Sequence, residues 1–174
     1  MKLDQVASSG NDEFYTPLYA VEPLLKYIPT GASVWCPFDT DRSLIVSALA
    51  AHGCKVTYTH IDDVLEQDFF AMEPRQCEFV ISNPPYSLKT AVFQRLFEMG
   101  IPFAMLVGVV GLFESEARFS LFETYPHEIM WLNKRIAYFK SYDDEKPVLN
   151  PPFSSVWLTS GVLPRLNVFE RVNK

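Results

Sequence analysis

Residues 102–110 (PFAMLVGVV) carry no polar side chain, so they show neither the alternation of a half-exposed strand nor the spacing of a surface helix. Such a strand is stable only with both faces covered, the situation of a central strand in a parallel sheet. Around it, short β-rich runs alternate with longer helical stretches. The strand signals are residues 32–37 (ASVWCP), 55–60 (KVTYTH), 78–82 (EFVIS), 128–132, 137–140 and 155–160 (SVWLTS), and the helical ones are 16–27, 43–52, 88–99 and 114–123. This alternation predicts βαβ units, hence an α/β fold whose mainly parallel sheet has helices on both faces. Thr16 and Pro17 read as the N-cap and first-turn proline of the first helix, and Pro23 should interrupt it. Gly53 and Gly100 mark helix ends, and the polar stretch 141–146 reads as a loop.

With 174 residues, 48% of them hydrophobic, the chain has enough apolar surface for one packed domain spanning 1–174. No repeat or linker divides it, and the 13 prolines are dispersed. No apolar run approaches the roughly 20 residues needed to cross a bilayer, and Met1-Lys2-Leu3-Asp4 leads into polar residues, so neither membrane insertion nor secretion is expected. Cys36, Cys54 and Cys77 form no CxxC pair, which argues against a disulfide framework or a thiolate zinc site and for a reducing cytoplasm. His52, His60 and His127 lie in different segments without ligand spacing, so no metal is predicted. The net charge of −6 excludes a protein that coats nucleic acid through a broadly basic surface. It leaves nucleic acid as a substrate, because an enzyme holding one extruded base needs only a local basic rim. Lys134, Arg135 and Lys140 are the candidates for that rim, with a solvated face as the plain alternative.

In a doubly wound sheet, ligands bind beyond the carboxyl ends of the strands. Four polar clusters fall there: Asp39-Thr40-Asp41, Asp62-Asp63, Asp68-Phe69-Phe70 and Asn83-Pro84-Pro85-Tyr86. Asp41 and Asp62 are 21 residues apart, near the spacing of a nucleotide-binding loop and a ribose-binding carboxylate.

The tetrapeptide Asn83 to Tyr86 is the sharpest signal, because its position directly after an apolar strand suits methylation of an exocyclic amine. The lone pair of an aromatic or amide NH2 is delocalised and weakly nucleophilic. A site must accept both hydrogens while the nitrogen pyramidalises toward an electrophilic methyl group. The side-chain oxygen of Asn83 and the carbonyl of Pro84 supply two acceptors, Pro84 and Pro85 fix the backbone, and Tyr86 offers a flat face for a base. A second copy, Asn150-Pro151-Pro152-Phe153, precedes its strand and is read as a turn. Cys36-Pro37 does not have the Pro-Cys order of cytosine-C5 chemistry, and Cys36 is read as a buried small hydrophobe.

On these residues the sequence resembles class I S-adenosylmethionine-dependent methyltransferases, and among them the N6-adenine methyltransferases of phage and bacterial type. The resemblance covers nearly the whole chain. It implies that Phe14-Tyr15-Thr16-Pro17 is a cofactor motif, that Asp62 binds the cofactor ribose, that Asp68-Phe69 contacts its adenine, and that Asn83, Pro84, Pro85 and Tyr86 are catalytic. Residues 135–139 and 155–158 are similar to the closing strands of the same fold, which implies seven strands with one antiparallel. S-Adenosylmethionine is the implied cofactor and DNA adenine the expected acceptor, with an RNA adenine or a protein glutamine amide as alternatives. The family's first loop carries glycines, whereas residues 36–43 (CPFDTDRS) carry none, so Cβ atoms are expected to crowd the cofactor's path. Asp39 or Asp41 remains available for the cofactor ammonium. That departure also admits a degenerate fold that binds without catalysing. The length holds no separate target-recognition domain, so specificity falls to the loops near 134–146, to a second copy of the chain or to a partner chain.

Overall fold

The computed structural model describes residues 14–62 and 67–174. Within them the chain runs α1 (Leu18–Leu25), β1 (Ser33–Cys36), α2 (Leu44–Ala51), β2 (Lys55–Tyr58), β3 (Phe79–Ser82), a 3-10 turn (Tyr86–Leu88), α3 (Lys89–Met99), β4 (Phe103–Gly108), α4 (Glu116–Thr124), β5 (Glu128–Leu132), β6 (Ser155–Ser160) and β7 (Asn167–Glu170). The strands form one seven-stranded sheet in the order β2-β1-β3-β4-β6-β5-β7. β6 runs antiparallel to both of its neighbours, β4 and β5, and the other pairings are parallel. The fold is therefore α/β and Rossmann-like, with six strands in one direction and one reversed. No helix among the described residues is long and apolar enough to cross a membrane.

All six residues of β4 are buried, because helices cover both of its faces. The alternation of a strand sends successive side chains to opposite sides. Ala104 and Leu106 pack with Ala20, Val21 and Leu24 of α1 and Ile45 and Leu49 of α2. Phe103, Met105 and Val107 pack with Val92, Phe93 and Leu96 of α3 and Phe122 of α4. Two buried tryptophans satisfy their indole N–H groups inside these layers. Trp157 donates to the carbonyl of Ala20 at 2.8 Å, and Trp35 donates to the hydroxyl of Thr59 at 2.9 Å. Ser43 caps α2 by accepting from the N–H of Ile45 at 3.2 Å, and Gly100 ends α3 in the left-handed region at φ +64°.

Three sequence expectations differ from the fold. Residues 137–140 are not a strand of the sheet: Tyr138 bridges Leu149 and Phe139 bridges Tyr15, each as an isolated pair. The seventh strand is instead β7, which buries Val168 while Phe169 is 74% exposed, so its sequence carries almost no apolar pattern. Pro23 lies inside α1 on the buried face with Ala20, Val21 and Leu24, and the helix ends two residues later. Pro17 itself occupies the N-cap position, and the hydroxyl of Thr16 accepts from Asn83 Nδ2.

The path of the chain positions the site. From β1 it goes through α2 to β2 on one side, then returns to β3 on the other side of β1. The carboxyl ends of β1 and β3 therefore flank the point where the strand order reverses, and a crevice opens there in sheets of this kind.

Candidate active site

A cavity of about 330 Å³ lies at that point. Its walls come from four places: Phe14, Tyr15 and Thr16 ahead of α1; Pro37, Phe38, Asp39 and Ser43 after β1; His60 and Ile61 after β2; and Asn83, Pro84 and Pro85 after β3. Gln67, Asp68, Phe69 and Phe70 form a further wall, and Leu88 and Tyr142 complete it. Of the candidates read from the sequence, Tyr15, Thr16, Asp39, Asp68, Phe69, Asn83, Pro84 and Pro85 thus share one cavity.

Asn83 is fixed from outside its own strand. Its Nδ2 donates to the carbonyl of Phe14 at 2.7 Å and to the hydroxyl of Thr16 at 3.1 Å. With the amide nitrogen so held, Oδ1 is buried and has no hydrogen-bond partner. A buried acceptor without a donor is costly, and native proteins rarely keep one without a use for it. Asn83 thus lines the cavity with its amide oriented by Phe14 and Thr16 and its Oδ1 buried and unpaired.

Asp39 is 5% exposed and joins three elements. Its Oδ1 accepts from the hydroxyl of Ser43 at 2.6 Å, and its Oδ2 accepts from the hydroxyl of Ser82, the residue before Asn83. Burial pushes the carboxyl from 3.8 up to about 6, while the hydrogen bonds from Ser43 and Ser82 and the charge of His60 pull it the other way. It therefore places a negative charge, nearly water-free, on the cavity wall.

The Asp68 wall is built as a turn. Asp68 Oδ1 accepts from the N–H of Phe70 at 2.9 Å, and the Asp68 carbonyl accepts from Ala71 and Met72. Arg95 of α3 holds the turn in place: its guanidinium donates to the carbonyls of Phe70 at 3.2 Å and Met72 at 2.6 Å and sits 5.3 Å from the centre of the Phe69 ring. The helix that follows the tetrapeptide is thereby bonded to the opposite wall.

Other candidates lie elsewhere. Tyr86 opens the 3-10 turn, and its ring packs edge-on against Phe14 at 4.8 Å and tilted against Phe153 at 5.7 Å, with Lys89 Nζ 4.9 Å from its centre. It stands beside the cavity and is not one of its lining residues. Pro17 is buried at the start of α1. Asp41 is exposed, and Asp62, whose side chain is 80% exposed, lies 3.7 Å from His60 Nδ1; neither lines the cavity. Asp63 is outside the described residues. Lys134, Arg135 and Lys140 are exposed and do not line it either. Asn150 is exposed and donates to Val148 in its own turn, while Phe153 of that second copy lies against Gly108. Burial pushes the Cys36 thiol well above its ordinary range, so it is poorly suited to act as a nucleophile. Among the described residues no group of three His, Cys, Asp or Glu side chains is placed to hold a metal ion.

Several wall residues were not singled out from the sequence. His60 sits at the carboxyl end of β2, the same signal that marked Asp39 and Asn83. Ser43 reads only as the first residue of a helical stretch, and Tyr142 lies 56 residues beyond the tetrapeptide in a polar loop. No protein-family model matches the sequence, and no curated protein matches it.

Proposed function

We propose that this cavity binds S-adenosylmethionine and that the chain transfers its methyl group to the N6 amine of adenine, with DNA as the acceptor. The observation that carries the reading is Asn83 Oδ1, a buried acceptor with no partner whose amide nitrogen is already spoken for by Phe14 and Thr16. An exocyclic amine supplies the donor that this oxygen lacks.

The surrounding residues fit such a cofactor. About 330 Å³ is within the range of small-molecule sites. Phe38, Ile61, Phe69 and Phe70 offer apolar surface to a purine, and the buried carboxylate of Asp39 offers a counter-charge to an ammonium group. Of the glycine-free loop, Pro37, Phe38, Asp39 and Ser43 line the cavity, whereas Thr40, Asp41 and Arg42 do not. Asp41 is therefore the weaker of the two candidates for the ammonium, and Asp39 the stronger.

When bound, the sulfonium compound supplies an electrophilic methyl carbon. The chain's own residues prepare the acceptor. Asn83 Oδ1 would accept a hydrogen bond from one N–H of the amine and the Pro84 carbonyl from the other, which frees the nitrogen lone pair from the ring as the amine pyramidalises; after methylation one of these two protons is lost to solvent and the other stays on the nitrogen. The two anchors on Asn83 Nδ2 prevent the amide from turning its nitrogen toward the amine. Apolar walls exclude water from the path.

Calorimetry with S-adenosylhomocysteine tests the site. Binding in the micromolar range, weakened by Asp39→Asn, is expected, whereas no heat at millimolar ligand would count against the reading.

A further inference from the structure

The loop that carries Tyr142 is built as a closed unit. Tyr138 and Leu149 exchange main-chain hydrogen bonds of 2.8 and 3.0 Å, so residues 139–148 leave and return at one point. Inside the loop, Asp144 Oδ2 accepts the N–H groups of Lys140 and Ser141, both at 2.9 Å, and Ser141 Oγ accepts that of Asp143 at 3.2 Å. This folding presents Tyr142 to the cavity, with its ring centre 4.0 Å from that of Tyr15. Arg42, in the loop after β1, reaches across to it. Its guanidinium lies 5.2 Å from the Tyr142 ring centre and pairs with the carboxylate of Asp143.

The ion pair is open to water, with side chains 51% and 80% exposed. Exposed pairs are weak and are screened by salt, so this contact breaks at little cost in free energy. Within the glycine-free loop after β1, Arg42 is thus the residue that holds the Tyr142 loop from the other side.

Resting on the reading above, we propose that residues 139–148 are a strap: Tyr142 contacts the bound methyl donor, and the Arg42–Asp143 pair sets how fast that ligand leaves. The test follows dissociation of S-adenosylhomocysteine from the immobilised full chain by surface plasmon resonance. Arg42→Ala should speed release by about two- to fivefold, the range an exposed ion pair supplies. The charge swap, Arg42→Asp with Asp143→Arg, should return the rate toward that of the parent chain. Tyr142→Ala should speed release by about tenfold or more and Tyr142→Phe, which keeps the ring, much less. Release unchanged in both Arg42→Ala and Tyr142→Ala overturns the proposal, as does a charge swap no better than its single parts.

A ligand-free measurement separates this claim from the functional reading. Hydrogen exchange at the Lys140 and Ser141 amides should be faster in Arg42→Ala than in the parent chain, with the β4 amides unchanged. Should the parent chain fail to bind S-adenosylhomocysteine, that failure counts against the functional reading. Faster exchange in the variant would then still support the strap, and equal exchange would overturn it.

Discussion

Asn83 Nδ2 donates to the carbonyl of Phe14 at 2.7 Å, across 69 residues of sequence. The bond ties the segment ahead of α1 to the residue that leaves β3, and it decides which end of the amide is left unpaired. The chemistry proposed for the cavity follows from that orientation.

Replacing Asn83 by Ala removes the oriented acceptor. Loss of one preorganised hydrogen-bonding group of this kind lowers turnover by about 10²–10³-fold. Labelled methyl transfer under saturating cofactor measures it, and a variant within threefold of the parent chain would assign the acceptor role elsewhere.

Asp39 gives two pH dependences of opposite sign. Its carboxyl is raised from 3.8 to about 6, so the folded state holds the proton more tightly than the unfolded chain does. Its linked contribution to stability is therefore present below the unfolded pKa and is lost as pH rises through about 6, an effect of about 3 kcal/mol. Affinity for a cationic ligand goes the other way, falling as pH drops below about 6 and Asp39 loses its charge. Thermal melts and calorimetry at pH 8, 6 and 5 should show both trends in the difference between the parent chain and Asp39→Asn. Parallel curves for the two proteins would contradict the assignment.

Gly108 ends β4 beneath the ring of Phe153, and a Cβ there would lie 2.7 Å from the ring edge. Gly108→Ala must displace the Phe153 ring, which packs against Tyr86. Overpacking of this sort costs about 1–3 kcal/mol. A melting temperature lowered by several degrees is the expected result, and an unchanged one would mean that Phe153 moves freely.

Arg95→Met keeps much of the side-chain length but removes both bonds to the Phe70 and Met72 carbonyls. Hydrogen bonds from a charged donor are worth about 1.5–3 kcal/mol, so a destabilisation of that order is expected. Urea unfolding measures it, and Arg95→Lys should lie between the two.

The sheet was legible wherever burial left an apolar pattern, as in residues 102–110 and in the inward positions of β6. It was not legible in β7, where one buried valine is all the pattern there is and hydrogen bonding to β5 holds the strand. Residues 137–140 (AYFK) are β-rich in residue type, but Tyr138 is buried as a bridge partner of Leu149, and its hydroxyl bonds to Ser155 at 2.7 Å. Part of the wall, at Asp39 and Asn83 to Pro85, was foreseen because these residues follow strand ends. Asp41 and Asp62 carry the same residue type as Asp39 and face water; which carboxylate turns inward depends on Ser43 and Ser82, and the second of these is 43 residues from Asp39. Arg42 and Tyr142 meet across 100 residues, a separation for which sequence spacing offers no rule.

The central claim is tested most directly by incubating the full chain with S-adenosylmethionine and unmethylated DNA, digesting to nucleosides and weighing the adenosines by mass spectrometry. The account predicts N6-methyladenine from the parent chain and almost none from Asn83→Ala. No N6-methyladenine from the parent chain, or equal amounts from both proteins, would contradict it.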